Sequence, residues 1–322
     1  MSMDSDVIVD RRRMRRKLTF WRVASVIIAI AAIGIIAMLA SPGSRGFAAN
    51  SSIARVNIEG LIRSDRERVE ALERLEKSKT AAAVIVHINS PGGTTAGSEQ
   101  LFDSLVRLKA KKPLVVVVEG LAASGGYITA IASDHIIAQQ SSLVGSIGVL
   151  FQYPNVSELL KTIGVKVEEV KSSPLKAAPN GFEPTSPEAR EALDALVKDS
   201  YAWFKGLVKD RRGMNEAEID KVADGRVFTG HQAVGLKLVD QLGDEKTAVT
   251  WLVEQKGVKK DLPVRDYKLG PRFGDLTFLR TAASVTLDAL GLGAIARQVE
   301  SSAIDRFALD GMLALWQPAA TN

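Results

Sequence analysis

The sequence predicts an α/β fold built from repeated βαβ units, a parallel sheet with helices on both faces, preceded by a transmembrane helix and followed by a helical C-terminal extension. Three observations predict it. From Ile53 onward, short β-branched runs alternate with longer amphipathic ones. The strand runs are apolar throughout, as in Val115-Val116-Val117-Val118, which marks strands buried on both faces. Two successive runs end in small-residue turns, Asn89-Ser90-Pro91-Gly92-Gly93 and Ala122-Ala123-Ser124-Gly125-Gly126. The C-terminal ends of strands are where open α/β sheets place their ligands.

Residues 1–22 form a basic segment, with Arg11, Arg12, Arg13, Arg15, Arg16 and Lys17 ahead of Trp21. Val23 to Ala40 is apolar apart from Ser25. At about 1.5 Å per residue the run rises about 27 Å, enough to cross most of a bilayer core. Basic flanks keep their side in the cytoplasm, so the remainder is expected outside the cytoplasmic membrane, in the periplasm of a bacterial-type cell. A cleaved signal peptide ending near Phe47-Ala48-Ala49 is the rival reading, though the apolar run is longer than a usual one. Residues 41–52, rich in Gly, Ser and Ala, read as a linker.

Residues 53–256 then form one catalytic-sized domain. Strands are expected at Ile53–Ile58, Ala83–Ile88, Leu114–Val118, His135–Ala138, Ile147–Phe151 and Lys166–Val170. Helices are expected at Asp65–Lys77, Thr95–Lys109, after Ser124, and at Glu188–Arg212, with shorter ones at Glu216–Val222, His231–Gly235 and Glu245–Gln255. Ser172–Pro187, with four prolines, is a loop. Residues 257–322 form an extension whose stretches Ala282–Val299 and Ile304–Leu315 are apolar enough for amphipathic helices against the membrane, a partner subunit or the chain's own core. Gly291-Leu292-Gly293-Ala294-Ile295-Ala296 matches a dinucleotide fingerprint, but no strand precedes it and the match is chance.

Composition narrows the chemistry. The 322 residues include no cysteine and only three histidines, His87, His135 and His231. Thiolate chemistry is excluded, and a His-rich metal site or a Ser-His-Asp arrangement has few residues to draw on. The net charge of +5 owes much to the N-terminal cluster, and no basic stripe interleaved with aromatics points to nucleic acid. Ser124, at a strand-to-helix junction, is placed as a reachable hydroxyl or as a simple helix cap. A serine nucleophile needs a base, and with histidine scarce a lysine kept neutral by burial is the alternative. Lys171 and Lys176 both qualify by position, and Lys176 has the more apolar neighbours. Gly92, Gly93 and Gly125 can bring backbone N–H groups close to a developing oxyanion.

Asn89-Ser90-Pro91-Gly92-Gly93, Ala122-Ala123-Ser124-Gly125-Gly126-Tyr127 and Lys171-Ser172-Ser173-Pro174-Leu175-Lys176 together resemble the signal peptide peptidase A family of Ser-Lys membrane proteases. Leu143–Val149 and Ala223–Gly230 resemble two further family segments, and the likeness spans about Ile53 to Gly243. The resemblance implies the crotonase-like fold shared with the Clp protease, a serine endopeptidase activity on cleaved signal peptides and other short hydrophobic peptides, and no metal or organic cofactor. It implies Ser124 as nucleophile, Lys176 as general base, Ser146 as the serine that orients the lysine, and Gly92, Gly93 and Gly125 at the oxyanion hole. It further implies a homo-octamer with active sites shared between protomers. Ala177-Ala178-Pro179 departs from the acidic or glycine residues usual after the lysine. Two other classes remain open from the residues alone: an acyl-CoA enzyme of the crotonase kind, and a scaffold with a degenerate protease domain. Within the protease class, broader quality control of membrane proteins is a further option.

Overall fold

The computed structural model describes residues 51–269 and 312–316, with positions 20–22, 24, 25, 27, 28 and 30 near the N-terminus. Contacts divide the chain into two units, Met1–Asn50 and Ser51–Asn322. In the first, the described positions from Phe20 to Ile30 are helical, and Phe20, Trp21, Ile27, Ile28 and Ile30 are exposed. The rest of the expected span 23–40 lies outside the described residues, as does the expected helix 282–299. No helix among the described residues is long and apolar enough to cross a membrane.

The second unit follows the expected alternation. Its elements are β1 (Ser52–Ile62), α1 (Arg66–Glu76), β2 (Ala81–Thr94), α2 (Thr95–Lys109), β3 (Leu114–Ala123), α3 (Gly125–Ala130), β4 (His135–Ala138), β5 (Leu143–Gly145), α4 (Ser157–Thr162), α5 (Pro187–Arg212), α6 (Glu216–Asp220), β6 (Val227–Thr229), α7 (Gly230–Gly235), β7 (Gln241–Leu242), α8 (Glu245–Lys256), β8 (Val264–Asp266) and β9 (Leu313–Leu315). The helices begin where side-chain caps permit. Asp65, Thr94 and Ser186 accept from backbone N–H groups at the first turns of α1, α2 and α5.

The strands form one sheet in the order β6-β5-β3-β2-β1-β8, with β4 on β3, β7 on β4 and β9 on β2. The sheet is mixed rather than purely parallel, because β5–β6 and β2–β9 run antiparallel. Alternate residues of the central strands fill different cores. Val84, Val86, Ile88, Val116 and Val118 pack in the larger one with α1, α2, α3 and α5. Ala83, Ile85, Val115 and Val117 pack in the smaller one with Ala248 and Leu252 of α8. This two-sided burial is why their sequence is apolar at every position.

Four expectations are corrected. Asn89–Gly93 is not a turn that ends β2; the strand continues to Thr94 through a register shift, because Leu61 and Ile62 of β1 pair with Gly92 and Gly93. The expected strand 147–151 gives way to β5 at Leu143–Gly145, which aligns with the second half of β3 as β4 does with the first. Lys166–Val170 finds no strand partner and leaves Val165, Val167 and Val170 exposed. In the C-terminal extension, Leu313–Leu315 is a strand and not the end of a helix, since the free edge of β2 at Gly92–Thr94 receives it.

On the smaller core's side, Arg55 of β1 forks onto Glu245 at 2.5 and 2.6 Å, and His87 lies between Glu119 and Glu245 at 2.7 and 2.9 Å. Arg55 holds the Glu245 carboxyl below the usual carboxylate range. The folded-state value is depressed, so the contribution is complete above the ordinary Glu range and is lost as pH falls through the depressed value. Arg55→Gln is therefore expected to cost about 1–3 kcal/mol at neutral pH. Thermal unfolding at a series of pH values should show this deficit shrinking below pH ~4; a deficit unchanged into acid would contradict it.

Candidate active site

The site is built where β2 and β3 separate at their C-terminal ends. Beyond Val118, β3 leaves β4 and pairs with β5, with Ala123 opposite Gly145. The Ser124 N–H donates to the Gly145 carbonyl at 2.8 Å, and the Ser124 carbonyl accepts from Tyr127 and Ile128 at 2.9 Å each. These bonds hold Ser124 at φ 54°, ψ −117°, a backbone conformation costly for a residue with a Cβ. Its hydroxyl makes no capping bond to α3. Ser124 is buried, and a strained, sharply turned serine with an uncommitted hydroxyl is the geometry that aims a nucleophile out of a strand end.

The helix behind it is fixed at both ends. The Tyr127 hydroxyl donates to the Leu238 carbonyl at 2.8 Å from a fully buried position. Arg211 of α5 reaches the carbonyls of Ile131 and Ser133 at 2.7 and 2.9 Å, satisfying the chain as it leaves α3.

The glycines expected at the oxyanion hole do come together, with divided tasks. Gly92 sits at φ +101°, and a Cβ there would fall 2.7 Å from the Gly125 nitrogen and collide with the Ala314 carbonyl oxygen. A Cβ at Gly125 would lie 3.0 Å from the same oxygen and 3.2 Å from the Gly93 nitrogen. The Gly92 N–H is already used, donating to Ser90 Oγ at 3.1 Å, while Ser90 itself donates to the Gly60 carbonyl at 2.6 Å. Gly92 thus supplies space, and the backbone N–H groups of Gly93 and Gly125 border that space. Ser90 escaped sequence reasoning because a buried serine inside a glycine turn reads as turn chemistry. Ala314 escaped it because the sequence around it reads as helical.

The lysines are placed differently. Lys171 lies between Glu169 and Glu183 at 2.6 and 2.5 Å, and these carboxylates raise its pKa above the ordinary lysine value. An ammonium so held cannot accept a proton at neutral pH. Lys176 lies on an exposed loop, and no hydrogen bond within the chain joins it to Ser124. Ser146, at φ 52°, follows the Gly145 clamp directly, and its N–H donates to the Arg226 carbonyl at 2.8 Å. His87 is taken by its two carboxylates and His135 stacks on Trp251, so neither partners Ser124.

Fold and sequence place this chain among the serine proteases of Clp-protease-like α/β architecture, as a Clp protease family model matches residues 57–142. A model of peptidase family S49 matches residues 106–259. A candidate protease of Synechocystis sp. is 36% identical over 211 residues, covering 65% of this chain and 76% of that one. A candidate signal peptide peptidase SppA of Enterococcus faecium is 30% identical over 235 residues, covering 69% and 68%. Protease 4 of Haemophilus influenzae is 31% identical over 229 residues, but the chain spans only 37% of that longer protein. The chain belongs to peptidase family S49, the family of the SppA serine proteases.

Gly92→Ala should lower kcat/KM for a peptide substrate by about 10²–10³-fold, the scale of losing an oxyanion contact. Unfolding should stay cooperative, because the added methyl meets only the site's own backbone. Full activity in that variant would show that Gly92 does not shape the hole.

Proposed function

We propose that the chain is a membrane-anchored serine endopeptidase that cleaves remnant signal peptides and short hydrophobic peptides outside the cytoplasmic membrane. The observation that carries this reading is Ser124, strained and uncapped beside the Gly93 and Gly125 N–H groups, with no base hydrogen-bonded to it among the described residues. The base is Lys176 of a neighbouring copy. Ser124 Oγ attacks the scissile carbonyl while the unprotonated Lys176 amine takes its proton and then passes it to the leaving amine. Water hydrolyses the acyl-enzyme by the same route in reverse. Gly93 and Gly125 donate to the oxyanion, and Ser146 orients the lysine from beside the Gly145 clamp. The chemistry calls for no metal or organic cofactor.

One feature supports assembly. Phe151, Leu159, Ile163, Val165, Val167, Val170, Leu175 and Phe182 are exposed along the segment that carries Lys176. Large apolar side chains exposed in such number along one segment are characteristic of an association surface. A closed ring of eight copies would give each Ser124 a lysine from its neighbour. The basic segment 1–22 and apolar run 23–40 support an anchor with a cytoplasmic N-terminus. The name of the Enterococcus relative supports signal peptides as substrates.

Mixing inactive Ser124→Ala chains with inactive Lys176→Ala chains should restore part of the peptidase activity, since some interfaces then combine an intact serine with an intact lysine. No recovery in demonstrated mixed assemblies would overturn the shared site. In intact spheroplasts, externally added protease should degrade the catalytic domain; complete protection would overturn its placement.

A further inference from the structure

Two strand ladders break at the same residue. Between β1 and β2 the register shifts between the pairs Glu59–Asn89 and Leu61–Gly92, so that Ser90 and Pro91 stand against Gly60 alone. Between β2 and β3 it shifts between Ile88–Val118 and Ser90–Ala122, so that Glu119, Gly120 and Leu121 stand against Asn89 alone. Ser90 borders both interruptions. A bulge disrupts the ladder locally and re-aims the strand that follows it, which here is Gly92–Gly93 beside Ser124.

Ser90 is completely buried, and both ends of its backbone and side chain are used. Its hydroxyl donates to the Gly60 carbonyl at 2.6 Å and accepts from the Gly92 N–H at 3.1 Å, so a side-chain oxygen bridges β1 and β2 across the bulge. On the other side, a Cβ on Gly126 would fall 2.7 Å from the Ser90 carbonyl oxygen. Ser90 therefore touches the turn that carries Ser124 as well as the strand that carries the Gly93 N–H. Direction follows from the same bonds. The Pro91 carbonyl accepts from Trp316, and the Thr95 N–H donates to Met312, both on the side away from β1. Groups two residues apart in a strand point the same way, so the Gly93 N–H shares that side while the Gly92 N–H is turned back to Ser90. A Cβ on Gly125 would lie 3.2 Å from the Gly93 nitrogen, which puts that donor at the Ser124 turn.

We propose that Ser90 is a positioning residue of the Ser124 site. Its hydroxyl holds the Gly92 N–H on the β1 side and so keeps the Gly93 N–H aimed at the oxyanion, while its carbonyl, packed on Gly126, sets the spacing to Ser124. The inference rests on Ser124 as nucleophile and Gly93 as an oxyanion donor, as argued above. Ser90 touches neither substrate nor the reacting atoms; it acts through Gly92 and Gly93. Without the hydroxyl, the buried Gly92 N–H loses its partner, and the peptide between two glycines, with Gly92 at φ +101°, is free to turn toward the emptied volume. A donor that swings away is lost to the transition state and not to bound substrate, because the oxyanion forms only as the serine adds. A serine that merely filled the bulge would change stability and leave the balance of kcat and KM unaltered.

The test compares the full-length wild type, Ser90→Ala and Ser90→Cys on a peptide substrate and on two ligands of one sequence, a peptide boronic acid and the corresponding peptide amide. Ser124 Oγ bonds to the boron, its proton passes to the Lys176 amine of a neighbouring copy, and the tetrahedral boronate places an oxygen where the oxyanion forms. The amide only occupies the cleft. In Ser90→Ala, kcat should fall about 10–100-fold, the scale of a misplaced catalytic group, with KM within about two-fold of the wild type. Boronic acid affinity should fall in step with kcat/KM, and the amide should bind as before. Ser90→Cys guards against a folding defect in the alanine variant. Its thiol occupies much the same place but is a weak donor and acceptor, in a chain with no other cysteine. That variant should unfold cooperatively and still lose kcat and boronic acid affinity together. Wild-type kcat and boronic acid affinity in either folded variant, or an equal loss of boronic acid and amide binding, would overturn the positioning role and leave the protease reading standing. Neither peptide cleavage nor boronic acid binding by the assembled wild type would overturn both.

Discussion

The structure depends on holding one serine in a backbone conformation that serines avoid. Residues with a Cβ at positive φ and strongly negative ψ cost about 1–3 kcal/mol, and such strain persists only where surrounding packing over-determines it. Ser124 is over-determined from three directions. Gly145 of β5 accepts its N–H, Tyr127 and Ile128 bond its carbonyl, and α3 behind it is anchored through Tyr127 to Leu238 and by Arg211 at its exit. The departure of β3 from β4 to β5, the bulge in β2 and the absence of side chains at Gly92 and Gly125 all serve the same small volume. The larger core supplies the rigidity that this requires, and the smaller core under α8 closes the opposite face of the sheet.

A second consequence is chemical incompleteness. The site has a strained, uncapped serine beside backbone N–H groups, while the loop that carries both lysines faces solvent with an unusual load of apolar side chains. Lys171 is committed to two carboxylates that keep it charged. Burial is what would make a lysine basic without being protonated, and the chain alone does not bury Lys176. Burying the apolar stretch from Phe151 to Phe182 against another copy would supply both the driving force for assembly and the desolvation of the base. On the proposed reading, activity and association become one event, and an unassembled chain would be inert.

The sequence was most legible where one physical requirement acted alone. Continuous apolar runs revealed the doubly buried strands, and the amphipathic runs placed the starts of α1, α2 and α5 to within a residue. The small-residue turns located Ser124 and the glycines around it. Legibility failed where a partner far along the chain decides the outcome. Gly92–Thr94 stays extended because β1 and β9 pair with it, and Leu313–Leu315 becomes a strand because β2 offers a free edge. Lys166–Val170 has strand composition but no strand partner among the described residues. The division of labour among the glycines also needed coordinates, since only the Ser90 hydroxyl shows that the Gly92 N–H is already taken.

The claim that the serine is ready and the base arrives by association is tested most directly by the rate at which a fluorophosphonate probe labels Ser124 as protein concentration is varied. The account predicts slow labelling when the chains are dilute and dissociated, rising to a plateau as they assemble, with Lys176→Ala remaining slow throughout. A rate independent of concentration, and equal in the wild type and Lys176→Ala, would contradict it.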